Sequence, residues 1–197
     1  MALSGLFLVG LVSVSGASSP IEQARSVSAA SSNLAAAARV SSPAERIASA
    51  VSGLRFPIDP LPRCIVGNNF GANSRLYGAG EHQGVDISAT LGQRVVAVED
   101  GVLSNQWLDT GAAGFGWALR PVAGDVEYRY FHLSGFADGL AEGDRVVAGQ
   151  LIGYVGDTGN PGAGNYHLHF EVRPGNVPVD PVPLLAIPAS CTLLPRP

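Results

Sequence analysis

Two histidines separated by one residue stand in the stretch Tyr166-His167-Leu168-His169-Phe170-Glu171. Polar and apolar residues alternate there, the pattern of a half-buried strand. Residues two apart on a strand share a face and lie about 6.5–7 Å apart. His167 and His169 are therefore expected to project together with Glu171, while Leu168 and Phe170 face the other way. Two imidazoles so placed can divide the labour of a hydrolysis. One can bind a metal ion while its neighbour handles a proton on a metal-bound water. The chain has four histidines; the other two are His82 and His132.

His82 lies in Gly80-Glu81-His82-Gln83-Gly84-Val85-Asp86-Ile87. His82 and Asp86 are four apart. On a helix they would share a face, but Gly84 and the β-branched residues argue for a strand or bulged loop. A bulge near Gly84 could aim both side chains at one point. An imidazole nitrogen and a carboxylate oxygen are good Zn²⁺ ligands. The same pair also reads as an Asp–His hydrogen bond on a surface loop. In Tyr128-Arg129-Tyr130-Phe131-His132-Leu133-Ser134, alternation places Tyr128, Tyr130 and His132 on one face. Taken alone, His132 has the commoner reading of a hydrogen-bonded structural histidine. Glu171, on the face of His167 and His169, reads equally as a partner holding a histidine or as a solvated strand residue.

The elements that must position these residues are short strands. The 197 residues suffice for one domain of ordinary size plus an extension. With 25 glycines, 14 prolines and 14% charged residues, a turn-rich β domain is favoured over a helical bundle. Candidate strands are Val95–Val98, Gly101–Leu103, Trp117–Leu119, Glu127–His132, Arg145–Val147, Leu151–Val155 and His167–Val172. Strands of this length and spacing predict an all-β fold, a small antiparallel two-sheet sandwich or barrel-like domain with a groove. Leu91–Ala97 and Glu142–Ala148 echo one another, each with a glycine, a polar pair and a Val-Val-Ala run. Two similar hairpins in a pseudo-symmetric core, or a common turn–strand pattern, would each explain the echo.

Residues 1–18 read as a signal peptide, with a short apolar core from Leu6 to Val14 and small residues at Ser15–Ser18. The usual positive leading region is missing. The apolar run is shorter than the ~20 residues that span a bilayer, so no stable membrane span is expected. Residues 19–54 form an Ala/Ser-rich spacer with some helical character. Residues 55–197 form the domain, ending in a proline-rich tail that cannot continue a central strand. Cys64 and Cys191 are 127 positions apart (191 − 64). In an oxidising compartment they could join the two ends of the domain; two free thiols are the alternative. The net charge of −4 argues against a nucleic-acid partner.

In order, these pieces resemble the zinc metallopeptidases of the lysostaphin and LytM type, peptidase family M23, which cut peptidoglycan peptides. The resemblance spans about Asn69 to Leu185. It is carried by His82-Gln83-Gly84-Val85-Asp86-Ile87, Gly114-Phe115-Gly116, Tyr130-Phe131-His132-Leu133-Ser134, Gly143–Gly153, Gly156-Asp157-Thr158-Gly159, His167–Val172 and Val179-Asp180-Pro181. The ordered set is specific, although no single piece is. It implies that His82, Asp86 and His169 are the ligands of one Zn²⁺ ion and that His132 and His167 are catalytic. Three protein ligands leave a fourth position for water, whose pKa would fall toward ~7. His167 is expected to take or orient the water's proton, and His132 to donate a hydrogen bond to the developing oxyanion. The implied protein is an exported, monomeric endopeptidase acting on peptidoglycan cross-links or stem peptides in the extracellular space, periplasm or cell wall. The alternative is a noncatalytic cell-wall-binding or murein-hydrolase-regulating module of the same fold. The five site positions are intact, which favours the enzyme. The loop Asn160–Tyr166 departs from the family pattern in its length, so substrate preference does not carry over.

Overall fold

The computed structural model describes residues 53–73, 80–108 and 111–196. The expected signal peptide and residues 19–52 of the expected spacer lie outside the described residues. Ten strands follow in chain order. They are β1 (Ile65–Val66), β2 (Val85–Ser88), β3 (Arg94–Val96), β4 (Gly101–Trp107), β5 (Phe115–Pro121), β6 (Val126–Phe136), β7 (Arg145–Val146), β8 (Leu151–Val155), β9 (His167–Pro174) and β10 (Thr192–Leu193). The described residues contain no α-helix, only a 3₁₀ turn at Val182–Leu184. None of their helices is long and apolar enough to cross a membrane.

The all-β expectation holds. Every candidate strand read from the sequence overlaps one of these strands, most of which run longer. The strands form one hydrogen-bonded sheet in the order β10-β1-β2-β9-β6-β5-β4-β7, with β8 branching from β6 and β3 pairing to β8. All pairs are antiparallel except β1 with β10. The branch arises because β6 changes partner along its length. It pairs with β9 over Val126–Phe131 and with β8 over Leu133–Phe136.

His132 sits at that changeover with φ 64°, in the left-handed region that non-glycine residues rarely enter. This overturns the simple alternation read along β6. Tyr128 and Tyr130 are buried in the core. The Tyr128 hydroxyl donates to Glu99, and that of Tyr130 accepts from the Val98 amide. His132 turns away from them, and its ring meets the rings of His167 and His169. A period-two pattern cannot survive a residue that twists the strand.

Along β9 the alternation is unbroken. Leu168, Phe170 and Val172 are fully buried. They join Val85 and Ile87 of β2, Trp117 and Leu119 of β5, and Ile152 and Val155 of β8 in one core. Leu54, Phe56 and Ile58, which enter from the N-terminal side, complete it. Leu54 bridges to Leu185, so the packed structure already includes residues 53 and 54.

The sequence echo is a matter of turns. In one copy the Thr90 amide donates to the Gln93 side chain; in the other the Ala141 amide donates to Asp144. Each closes a three-residue loop before a strand. The strands then take different partners, β3 with β8 and β7 with β4.

Cys64 and Cys191 form a disulfide. It lies beside the β1–β10 pair, so the proline-rich tail ends as an edge strand pinned to the start of the domain. A bridge closing so long a loop stabilises by at most about 4–5 kcal/mol on the chain-entropy model. Reducing it should therefore lower the urea midpoint of the metal-free protein clearly; an unchanged midpoint would show that the terminal strands hold without it.

Candidate metal centre

β2 and β9 are antiparallel neighbours, with Asp86 opposite His169 and Ser88 opposite His167. Directly opposed residues carry their side chains to the same face, with Cβ atoms about 4.5–5.5 Å apart. Because Val85, Ile87, Leu168 and Phe170 fill the core, Asp86 and His169 must share the opposite face. His82 arrives from the loop before β2, which is tied down by backbone hydrogen bonds between His82 and both Gly71 and Ala72. A Cβ on Gly84 would lie 2.4 Å from the Phe170 carbonyl oxygen and 2.9 Å from His169 Nε2. Only glycine lets the loop approach β9 so closely; Gly84 lies at a bend before β2.

Three atoms meet at the centre. His82 Nε2 is 2.9 Å from His169 Nδ1 and 3.1 Å from Asp86 Oδ1, and His169 Nδ1 is 3.0 Å from the same oxygen. The outer atoms of these groups are each held. His82 Nδ1 donates to the Asn69 carbonyl at 3.1 Å. His169 Nε2 donates to Glu171 Oε1 at 3.1 Å. Asn69 Nδ2 donates to Asp86 Oδ2 at 2.8 Å, and Asn69 Oδ1 accepts from the Asp86 amide at 3.2 Å. These bonds orient both rings and turn one potential ligand atom per residue, His82 Nε2, Asp86 Oδ1 and His169 Nδ1, to a common point, as outer partners of metal ligands do. Tetrahedral zinc with bonds of about 2.0–2.2 Å would set its ligands roughly 3.3 Å apart. The observed triangle is within a few tenths of that, and its nitrogen and oxygen donors suit zinc. His82, Asp86 and His169 therefore fit a single metal ion.

The other two histidines stand beside this triangle. The His132 and His167 rings are 4.9 Å apart between centroids, and His167 Nε2 is 3.7 Å from Asp86 Oδ1. His132 Nδ1 donates to the Thr158 carbonyl at 2.8 Å, and His167 Nδ1 to the Asn165 carbonyl at 2.9 Å. A carbonyl can only accept, so each neutral ring keeps its Nε2 as an acceptor. For His132 this corrects one expectation: it can donate to an oxyanion only after it has taken up a proton. All four histidines line one cleft of about 360 Å³, walled by Ala112, Ala113, Phe131, Asn160, Pro161 and Asn165.

The charges are arranged around the triangle. Burial would raise the Asp86 pKa, but hydrogen bonds and charge from His169 and His82 hold it far below the usual carboxylate range. Burial would likewise lower that of His169, but Asp86 and Glu171 push it up to about 9. A site that holds a proton so firmly between two carboxylates also favours a metal cation there. His132 differs: burial, then the neighbouring His167 and His169, push it down to about 4. It is therefore neutral at pH 7.

Sequence reasoning left the role of Glu171 open; it is a buried partner of His169. Asn69 and Thr158 stand at the start of the resembling span and within one of its motifs, but the sequence assigns neither a role. Thr158 acts through its carbonyl, and its hydroxyl also links Leu133 of β6 to Phe115 of β5. Backbone contacts of this kind leave no side-chain signature.

The fold and the triangle together define an all-β domain with a candidate mononuclear metal centre of hydrolytic type. The chain belongs to peptidase family M23, whose profile matches residues 80–181, just over half of its length. It is 37% identical over 129 residues to the DD-carboxypeptidase/endopeptidase Mpg of Neisseria meningitidis, covering 64% of this chain and 28% of that protein. It is 38% identical over 113 residues to the glycyl-glycine endopeptidase ALE-1 of Staphylococcus capitis, covering 54% of this chain and 29% of that one. The catalytic domain of lysostaphin from Staphylococcus simulans superposes with a TM-score of 0.55 at 29% identity, covering 61% of this chain and 90% of that domain. The chain thus matches less than a third of the length of these two curated relatives.

The raised pKa of His169 has a consequence for stability. A proton held more tightly in the folded than in the unfolded state stabilises fully below the unfolded value of about 6.5, and that gain is lost as pH rises through about 9. In chelator, the melting temperature should therefore fall between pH 6.5 and 9. A flat profile over that window would contradict the assigned environment of His169.

Proposed function

We propose that this chain is an exported zinc-dependent endopeptidase that cuts peptide bonds in the cross-links or stem peptides of peptidoglycan. The observation that carries the reading is the triangle of His82 Nε2, Asp86 Oδ1 and His169 Nδ1 beside two imidazoles whose Nε2 atoms are acceptors. Membership of family M23 and the names of the relatives support the substrate class.

A zinc ion on His82, Asp86 and His169 would supply Lewis acidity, lowering the pKa of a water toward ~7 and polarising the scissile carbonyl. His167, two residues from a ligand and tied through Nδ1 to Asn165, accepts the proton of the attacking water at Nε2. The proton taken by His167 then passes to the leaving amine as the C–N bond breaks, and His132, neutral before reaction, accepts at Nε2 the second proton of the attacking water as the carboxylate product forms, and returns it to solvent. Both rings are held by backbone carbonyls, so neither needs to reorient during the reaction.

Residues 1–18 serve as the export signal and the residues from 19 as a spacer; the peptidase domain, read from the sequence as 55–197, takes in Gly53 and Leu54 as well, and it acts as a monomer outside the cytoplasm. The Cys64–Cys191 disulfide suits an oxidising compartment. The two relatives carry names for different bonds, and Asn160, Pro161 and Asn165 of the long loop line the cleft here. The bond cut therefore has to be read from products.

Purified peptidoglycan incubated with the protein should yield peptides with new amino and carboxyl ends, seen by mass spectrometry. Chelation should abolish them and added zinc restore them. Intact peptides across several wall types, with zinc bound, would point instead to the noncatalytic module. His167→Ala and His132→Ala should each lower turnover by about 10²–10⁴-fold while zinc stays bound. His82→Ala and Asp86→Ala should lose the zinc itself. Zinc loss from the His167 or His132 variant would mean that ligands and catalysts have been exchanged.

A further inference from the structure

We infer that Arg173 is a positioning residue for the metal centre: its one guanidinium braces both ligand-bearing segments, through Glu171 to His169 and through Gln83 to the loop that carries His82. The inference rests on the ligand set His82, Asp86 and His169 proposed above.

The outward face of β9 reads His167, His169, Glu171, Arg173 at the two-residue period of a strand. The first two reach the cleft. The last two form a chain behind it. Glu171 Oε1 accepts from His169 Nε2 at 3.1 Å, and Oε2 accepts from Arg173 Nη1 at 2.8 Å. The same Nη1 donates to Gln83 Oε1 at 2.8 Å. Gln83 is the neighbour of His82 in sequence and otherwise an exposed loop residue.

The guanidinium cannot swing away from either contact. Its Nη2 donates to the Asn176 carbonyl at 3.1 Å, and Asn176 holds a left-handed conformation in the turn after β9. Arg173 is only 9% exposed. A planar, always charged fork held at three points fixes its donors more firmly than a lysine could. The loop before β2 and strand β9 are far apart in sequence, and the short Gly84 approach is their close backbone contact. The Arg173–Gln83 bond adds a side-chain tie on the same side, next to His82. Arg173 thus sets both the direction of the His169 ring and the distance of the His82 loop from it.

A merely structural Arg173 would neutralise buried Glu171, and its bond to Gln83 would be incidental. The two roles separate in zinc affinity. The full chain is stripped with chelator, and its zinc Kd is measured by competition with a chromophoric chelator for the wild type, Arg173→Met, Gln83→Ala and the double variant. Melting of each metal-free protein reports folding. Arg173→Met should weaken zinc binding by about 10–100-fold. Gln83→Ala should weaken it less, and the double variant should be no weaker than Arg173→Met alone, because both changes remove one brace. Arg120→Met, which breaks an exposed ion pair with Glu127 on the neighbouring strands, should leave the Kd unchanged. A folded Arg173→Met with wild-type Kd overturns the inference, as do independent, additive losses in the double variant. If Arg173→Met does not fold, Gln83→Ala decides, and an unchanged Kd there overturns the brace. A wild-type chain that takes up no zinc overturns the ligand set and this inference with it.

Discussion

The pairing of β2 with β9 is the constraint on which the site depends. Its register sets Asp86 against His169 and Ser88 against His167. A slip of one residue would bring Ile87 to the site and drive Asp86 into the core. The slip is prevented by apolar burial. Val85, Ile87, Leu168, Phe170 and Val172 are all inaccessible to solvent on one side of the two strands. The chemistry on one face is thus aligned by the hydrophobic packing of the other. Neither strand needs a special residue for this beyond its alternation.

Around that pairing the molecule gathers buried charge and hydrogen-bonds it. Desolvating a carboxylate or an imidazolium costs several kcal/mol unless partners replace the lost water. Asp86 has Asn69, His82 and His169; Glu171 has His169 and Arg173. Two aromatic contacts border this polar layer. Phe131 stacks on His169, and Trp107 packs edge-on against Phe131. Arg129 lies over Trp107 and binds Glu127. The result is a polar centre with an apolar floor beside it, a setting in which directed hydrogen bonds count for more than in water.

Much of this was legible in the sequence because β9 keeps a clean period of two. Its two histidines and its two inward apolar residues fall where alternation puts them. The His82–Asp86 pair was legible only as a possibility, since four-residue spacing by itself fits several local structures. The loop is settled by Gly84 packing against β9, a contact no spacing shows. β6 was misread at His132 because histidine enters the left-handed region more often than most residues but still uncommonly, too weak a bias to mark the twist. The roles of Asn69 and Thr158 were not legible because they act across distance in the chain or through the backbone. The short strands β1 and β10, two residues each, carry too little pattern to be seen before the Cys64–Cys191 bridge brings them together.

His167 is the natural rival to the proposed ligand set, with its Nε2 only 3.7 Å from Asp86 Oδ1. Anomalous diffraction at the zinc edge from crystals of the zinc-loaded protein separates the two. One peak within about 2.0–2.2 Å of His82 Nε2, Asp86 Oδ1 and His169 Nδ1, with His132 and His167 outside bonding distance, is the result expected. A peak bonded to His167 or His132, or one elsewhere in the molecule, would contradict the ligand set.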